Sequence, residues 1–267
     1  MDTRNHNQHK KGPRELVTGG EWIYGRKPVL EVFRAGRRQC RELILPPSVP
    51  GESEDLSEMR AWAQRLGIVC RTEDRKRMDA LFKGAHHQNV ALKTDIYPYA
   101  DTAELLEFAE TDENAMFVVL DHIEDPQNLG AIVRTACAAG VSGIVVPEDR
   151  ASLVTPTVVR ASAGGTEYVK IAKAVNIVRF IKDLKERNVW ITGLDWGDDA
   201  KDYTKIDYRG KAAIVVGAEG AGISRLVRQT CDFIAVLPML GEIQSLNASV
   251  AAGIVLYEAL RQRSLNG

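Results

Sequence analysis

The chain has 267 residues, 45% of them hydrophobic and 27% charged. That is ordinary globular composition, enough for one large domain or two small ones, and it excludes a collagenous, coiled-coil or disordered chain. With 35 Lys and Arg against 36 Asp and Glu the formal charge is -1, so no global field announces an anionic partner.

The charge is not evenly spread: ten of the 35 Lys and Arg, but only four of the 36 Asp and Glu, fall in residues 1–41. Residues 1–20 read as a flexible basic tail, either solvated or an arm on phosphate. The start has no apolar core of a secretory signal, and no run approaches the roughly 18 apolar residues of a membrane span. The four cysteines, Cys40, Cys70, Cys137 and Cys231, are scattered with no C-x-x-C pair, which argues for free thiols over zinc or disulfides. A reducing cytoplasm is the expected location, with a transit segment as the alternative for the basic start.

In residues 21–95 the patterns predict a small α/β unit. Helices are expected at Pro28–Phe33, Glu54–Leu66 and Asp74–Leu81, and strands at Glu42–Leu45, Ile68–Cys70 and Asn89–Lys93. Residues 96–114 read as a linker with one acidic helix. From residue 115 to 267 the rhythm is regular. Short continuous apolar strands are expected at Phe117–Asp121, Gly143–Val146, Tyr168–Ile171, Val189–Leu194, Ala212–Val216 and Phe233–Leu237. They alternate with helices at Leu129–Ala139, Thr157–Ala161, Ile177–Arg187, Ser224–Thr230 and Leu246–Arg263. Such alternation predicts a parallel sheet covered on both faces, with ligands beyond the strands' carboxyl ends.

Three segments carry chemistry. Residues 120–140, LDHIEDPQNLGAIVRTACAAG, run from a strand through a polar loop into a helix. Asn128 reads as its N-cap, and Arg134 stands among apolar neighbours, as an arginine aimed at a specific target does. Residues 214–224, IVVGAEGAGIS, form a glycine-rich loop of order G-x-x-G-x-G, not the dinucleotide order G-x-G-x-x-G. Glu219 within it would repel a pyrophosphate, which argues against NAD. Residues 236–263 pass from a strand through Pro238 and Gly241 into a long helix. Leu246, Val250, Ile254, Tyr257 and Leu260 form an apolar stripe on it. Ala248, Ser249, Ala251, Ala252 and Gly253 keep it slim, which suits a core or a subunit interface. The polar Gln-Ser-x-Asn at its start offers free backbone donors.

Together these segments resemble the three motifs of the SpoU-type RNA ribose 2′-O-methyltransferases of the SPOUT superfamily, in order, spacing and neighbours. The layout is most similar to the branch acting on guanosine of large-subunit (23S-type) rRNA. GRKPVLEVFRAGRR and HHQNVAL resemble that family's ribosomal-protein-like RNA-binding domain, with Asn89 where the family commonly has Gly. The resemblance implies a parallel α/β domain with a trefoil knot, S-adenosyl-L-methionine as cofactor, and a homodimer whose active site is built across the interface. It implies Thr192, Gly193, Gly217, Glu219, Gly220, Leu237, Met239, Ser245, Leu246 and Asn247 as cofactor-site residues. It places Arg134 at the reacting hydroxyl, with Asn128, Glu219 and Asn247 positioning it.

The basic residues Arg26, Lys27, Arg34, Arg37, Arg38 and Arg41 are the expected RNA-docking surface. No metal is expected, since His86, His87 and His122 offer no ligand spacing. Other readings are a tRNA ribose methyltransferase of the same family, a non-catalytic RNA-binding protein, and a nicotinamide-dependent oxidoreductase.

Overall fold

The computed structural model describes residues 19–243 and 245–264; the expected tail lies, through residue 18, outside them. The first unit contains β1 (Glu21–Tyr24), α1 (Arg26–Ala35), β2 (Cys40–Leu45), α2 (Glu54–Leu66), β3 (Val69–Thr72), α3 (Arg75–Leu81) and β4 (Ala91–Thr94). Its sheet runs β1-β4-β2-β3, with only the β2–β3 pair parallel. α2 buries Leu56, Met59 and Ala63 and stops at Gly67, which takes the left-handed conformation that spares glycine a Cβ penalty. At the HHQN turn before β4, Gln88 and Asn89 both have positive φ, 50° and 59°. Asn tolerates that region better than most residues, so the departure from Gly at Asn89 keeps a tight turn.

The second unit follows α4 (Thr102–Thr111). It contains β5 (Met116–Asp121), α5 (Pro126–Ala138), β6 (Gly143–Pro147), α6 (Pro156–Ala161), β7 (Lys170–Ala174), α7 (Ile177–Lys185) and β8 (Trp190–Leu194). Then come β9 (Lys201–Asp202), β10 (Ala212–Gly217), α8 (Arg225–Thr230), β11 (Phe233–Val236) and α9 (Ala248–Ser264). The seven strands form one parallel sheet, β7-β6-β5-β10-β8-β11-β9. Every residue of the central β5 and β10 is buried, as continuous apolar strands between two helical layers require. One apolar cluster takes in α5, α6 and α9, and the other α4, α7 and α8. α4 is therefore a packed layer of this unit, with Leu105 and Ala109 fully buried. α5 meets α6 closely enough that a Cβ on Gly130 would lie 2.3 Å from that of Ala161.

The two units share a sealed seam, and it corrects the reading of two arginines. Arg38 is not a docking residue, because its side chain is fully buried. Its Nε and Nη2 donate to both oxygens of the equally buried Glu167, at 2.9 and 2.7 Å, and its Nη1 donates to Glu21. A cation that deep survives only when paired in this way. Arg37 is half-buried and donates to the carbonyls of Pro98, Thr166 and Val169. Both sit over the ring of Tyr97, whose hydroxyl donates to the carbonyl of Thr166.

α9 divides between the two expected settings, core and surface. Its core-facing residues are Ala248, Ala252, Val255, Leu256 and Ala259. The expected apolar stripe instead points outward: Val250 is 49% and Tyr257 51% exposed. Ala248, Ala252 and Ala259 pack inward together with Val255 and Leu256, while Ile254 and Leu260 are half-buried.

Candidate active site

The carboxyl ends of β8, β10 and β11 open into a cleft of about 680 Å³, within the range of small-molecule sites. Most of its lining is apolar side chain or backbone: Leu194, Val216, Ala235, Leu237, Met239, Leu246, Ala248 and Ala251, with the peptide groups of residues 217–222. Three loops make it, those after β8, after β10 and between β11 and α9. These are the loops a trefoil threading would interlace.

The glycine loop after β10 is shaped by contacts only glycine permits. A Cβ on Gly217 would lie 2.1 Å from the carbonyl oxygen of Gly222, and the Gly222 N–H donates to the carbonyl of Ala218 at 3.0 Å. Gly220 and Gly222 have φ of 75° and 66°. The loop's far end is tied down by Asp121, buried at the end of β5, whose Oδ2 accepts from the Ser224 N–H at 2.6 Å. Its Oδ1 pairs with His122 Nδ1, also at 2.6 Å.

At the cleft's rim, three expected residues from three segments meet. Asn128 Nδ2 donates to Glu219 Oε1 at 3.0 Å, and Asn247 Nδ2 donates to Asn128 Oδ1 at 2.8 Å and also to Glu219 Oε1. Asn247 Oδ1 accepts from the Ser249 N–H and hydroxyl at 2.9 and 2.6 Å, capping α9. Asn128 is not the N-cap of α5. Asp125 holds that place, accepting from the Gln127 N–H, which leaves the Asn128 amide for the network. Glu219 has no cation against it among the described residues, so its Oε2 is an open acceptor.

Of the expected cofactor residues, Gly217, Glu219, Gly220, Leu237, Met239, Ser245 and Leu246 line the cleft. Thr192 and Gly193 do not. Thr192 is buried one rung below Leu194, and a Cβ on Gly193 would strike Ile223 and Cys231 on the opposite face. The thiol of Cys231 there is pushed up to about 12, chiefly by burial and then by Asp232, so it offers no thiolate. Asp195 and Trp196 line the cleft instead. They are the first residues beyond the carboxyl end of β8, where the strand pattern placed ligand-binding loops, but no motif singled them out. Trp196 is 80% exposed, and its N–H donates to Asp195 Oδ1 at 2.9 Å.

Arg134 is exposed and outside the cleft lining. It lies six residues beyond Asn128 on α5, about 9 Å along the axis and on another side. Ile132, Val133 and Ala136 pack inward while Arg134 is exposed. Of the expected docking residues, Arg34 is paired with Glu58 and Glu31, and Arg41 with Asp95. Arg26 donates to Ser53 at 3.1 Å, and Lys27 is exposed. Among the described residues no cluster of His, Cys, Asp or Glu could hold a metal, and no helix is long and apolar enough to cross a membrane.

The parallel α/β sheet thus carries at its carboxyl edge a cleft with a glycine loop of order G-x-x-G-x-G, not the dinucleotide order, rimmed by an Asn–Glu–Asn network. The profile of the SpoU rRNA methylase family matches residues 115–257, and that of an RNA 2′-O ribose methyltransferase substrate-binding domain matches residues 22–100. The chain belongs to the SpoU rRNA methylase family and is built as an RNA methyltransferase of that class. A TrmH-family tRNA/rRNA methyltransferase of Bacillus subtilis is 38% identical over 245 residues, covering 91% of this chain and 96% of that one. The AdoMet-bound rRNA methyltransferase of Sinorhizobium meliloti superposes with a TM-score of 0.74 at 27% identity, over 91% of this chain and 88% of that one. The TrmH/SpoU tRNA-modifying enzyme of Aquifex aeolicus (A. aeolicus) superposes with a TM-score of 0.53 at 32% identity. It covers 62% of this chain and 84% of its own.

Proposed function

We propose that this chain methylates a ribose 2′-hydroxyl in RNA with S-adenosylmethionine, and that the target is a guanosine of large-subunit, 23S-type rRNA. The observation that carries the chemistry is the cleft with its rim. A largely apolar slot with a glycine loop along one side suits an adenosine moiety, and one carboxylate at the lip suits a cationic ligand. Gly217, Gly220, Leu237, Met239, Ser245 and Leu246 would hold the cofactor, which supplies an electrophilic methyl group. Support for rRNA over tRNA comes from the first unit. The rRNA methyltransferase of S. meliloti covers 91% of this chain, whereas the tRNA-modifying enzyme of A. aeolicus covers 62%.

A ribose hydroxyl is a weak nucleophile and must shed its proton as it attacks, so the residues must orient it, stabilise the oxyanion and exclude water. Asn128 and Asn247 load Oε1 of Glu219 and leave Oε2 to accept the hydroxyl's hydrogen bond and then its proton as the methyl group is transferred to the oxygen. Arg134 supplies the positive charge that holds the neighbouring phosphate and the forming alkoxide. Because it points away from its own cleft, it acts on that of a second copy in a homodimer. The exposed apolar stripe of α9, beside α5, is the surface that copy would cover.

The test is methyl transfer from radiolabelled S-adenosylmethionine to 23S-type rRNA fragments and to tRNA, with the modified nucleoside identified. 2′-O-Methylguanosine in rRNA alone is expected; label in tRNA alone would overturn the substrate, and none in either the activity. Arg134→Ala and Asn247→Ala are each expected to be inactive. Mixed and re-equilibrated, they should recover about a quarter of wild-type turnover, since half the dimers are hybrids with one intact site. No recovery would place Arg134 in its own chain's site.

A further inference from the structure

We propose that RNA docks on the first unit through a corner formed by α3, the HHQN turn and the start of α1, and not through the arginines that follow on α1. This rests on the reading of the chain as an RNA-methylating enzyme. The argument is a census of partners. In the first unit, Arg34, Arg38, Arg41, Arg60 and Arg71 each face a carboxylate at salt-bridge distance. Arg37 is held by carbonyls, and Arg65 lies over the Trp62 ring at 4.0 Å. Phosphate would have to displace those partners. Lys27, Lys76, Arg77 and Lys83 are exposed, and their side chains have no hydrogen bond or ion pair among the described residues. Arg75 is 82% exposed, its nearest carboxylate oxygen 3.9 Å away.

These free cations are not scattered. The HHQN turn joins them: Gln88 Oε1 accepts from the Arg26 N–H at 2.9 Å, beside Lys27, and His87 Nε2 meets Asp79 of α3 at 2.9 Å. His87 Nδ1 accepts from the Asn89 N–H at 3.0 Å, so its Nε2 carries the proton and donates to Asp79. The turn is thus fixed from both sides, with exposed His86 at its head. Six cations, Arg26, Lys27, Arg75, Lys76, Arg77 and Lys83, lie on these elements, with the carboxylates Asp74 and Asp79 on the α3 side and Glu54 and Asp55 next to the Ser53 that Arg26 reaches. Asp74 caps α3, and Asp79 is occupied by His87. A surface fixed in this way, with Lys27, Lys76, Arg77 and Lys83 free of partners among the described residues, fits a phosphate backbone.

The test compares full-length K76Q/R77Q/K83Q with R34Q/R41Q. The first should raise RNA Kd and KM about tenfold at physiological salt. It should also reduce the slope of log K against log salt by about two, with S-adenosylmethionine affinity and kcat at saturating RNA unchanged. R34Q/R41Q should stay within about twofold of wild type in Kd. In the wild type, bound RNA should shield Lys76 and Lys83 from amine acetylation, a readout that needs no variant. Wild-type RNA binding by the triple variant, a larger loss in R34Q/R41Q, or unshielded lysines would overturn the proposal. So would loss of phosphatidylserine-vesicle binding in the triple variant with RNA KM unaltered. If the wild type transfers no methyl group to any RNA, it is the activity that fails, and not the docking face alone.

Discussion

Replacing Arg38 by Met tests how the two units are held together. Arg38 and Glu167 are both fully buried and joined by two parallel bonds of 2.9 and 2.7 Å. Met leaves the Glu167 carboxylate without water and with one remaining side-chain donor, the Thr166 hydroxyl at 3.0 Å. Removing one partner of a buried pair costs about 3–5 kcal/mol, and the lost stacking on Tyr97 adds up to about 1 kcal/mol. For a chain of this size, each kcal/mol lowers the melting midpoint by roughly 2–4 °C, so a fall of about 10 °C is expected by calorimetry. The double variant R38M/E167L, which removes both charges, should regain most of it.

The pH dependence has a definite sign. Burial holds the Glu21 carboxyl above its ordinary value near 4.5, against the pull of Arg38. The folded state therefore binds the extra proton, and stability falls as pH rises from 4.5 through the raised value. Without Arg38 that window widens, so the deficit of R38M should shrink towards pH 4.5. A loss under 2 °C, or a double variant no more stable than the single, would refute the account of the seam.

Three further outcomes are expected. Gly217→Ala should abolish S-adenosylmethionine binding by calorimetric titration, because its methyl group would sit 2.1 Å from the Gly222 carbonyl oxygen; a wild-type Kd would show the loop is not the cofactor's cradle. Indole emission should change on cofactor binding in the wild type and not in Trp196→Phe, since Trp196 alone of the four tryptophans lines the cleft. With a maleimide at pH 8, exposed Cys70 should react first and Cys231, pushed up to about 12, only on unfolding; early labelling of Cys231 by mass spectrometry would contradict its burial.

The second unit was legible because its strands are buried on both faces, which turns them into continuous apolar runs. Met116–Asp121 and Ala212–Gly217 were readable for that reason. The two-residue β9 has no such signal, and β1 lies outside any alternating run. Residues 128, 219 and 247 were readable as motif positions, but not as mutual partners, since their bonds span 91 and 119 positions. Charge misled most. The arginines after α1's first turn look like one basic face in the sequence, yet Arg38 meets Glu167 across 129 residues. The run Arg75–Lys83 looked like an ordinary short helix. Pairing, which decides whether a cation is available, is a property of the folded surface.

The rim network also sets an order of assembly. Asn128 is synthesised 119 residues before Asn247, and the cleft is lined by three loops of which the last joins β11 to α9. A growing chain can finish its first unit and seal the seam through Glu167 while the cleft still lacks a wall. The cleft therefore lacks its last wall until the β11–α9 segment is in place. On the reading proposed above, the RNA-facing corner is complete in sequence before the donor's cleft is.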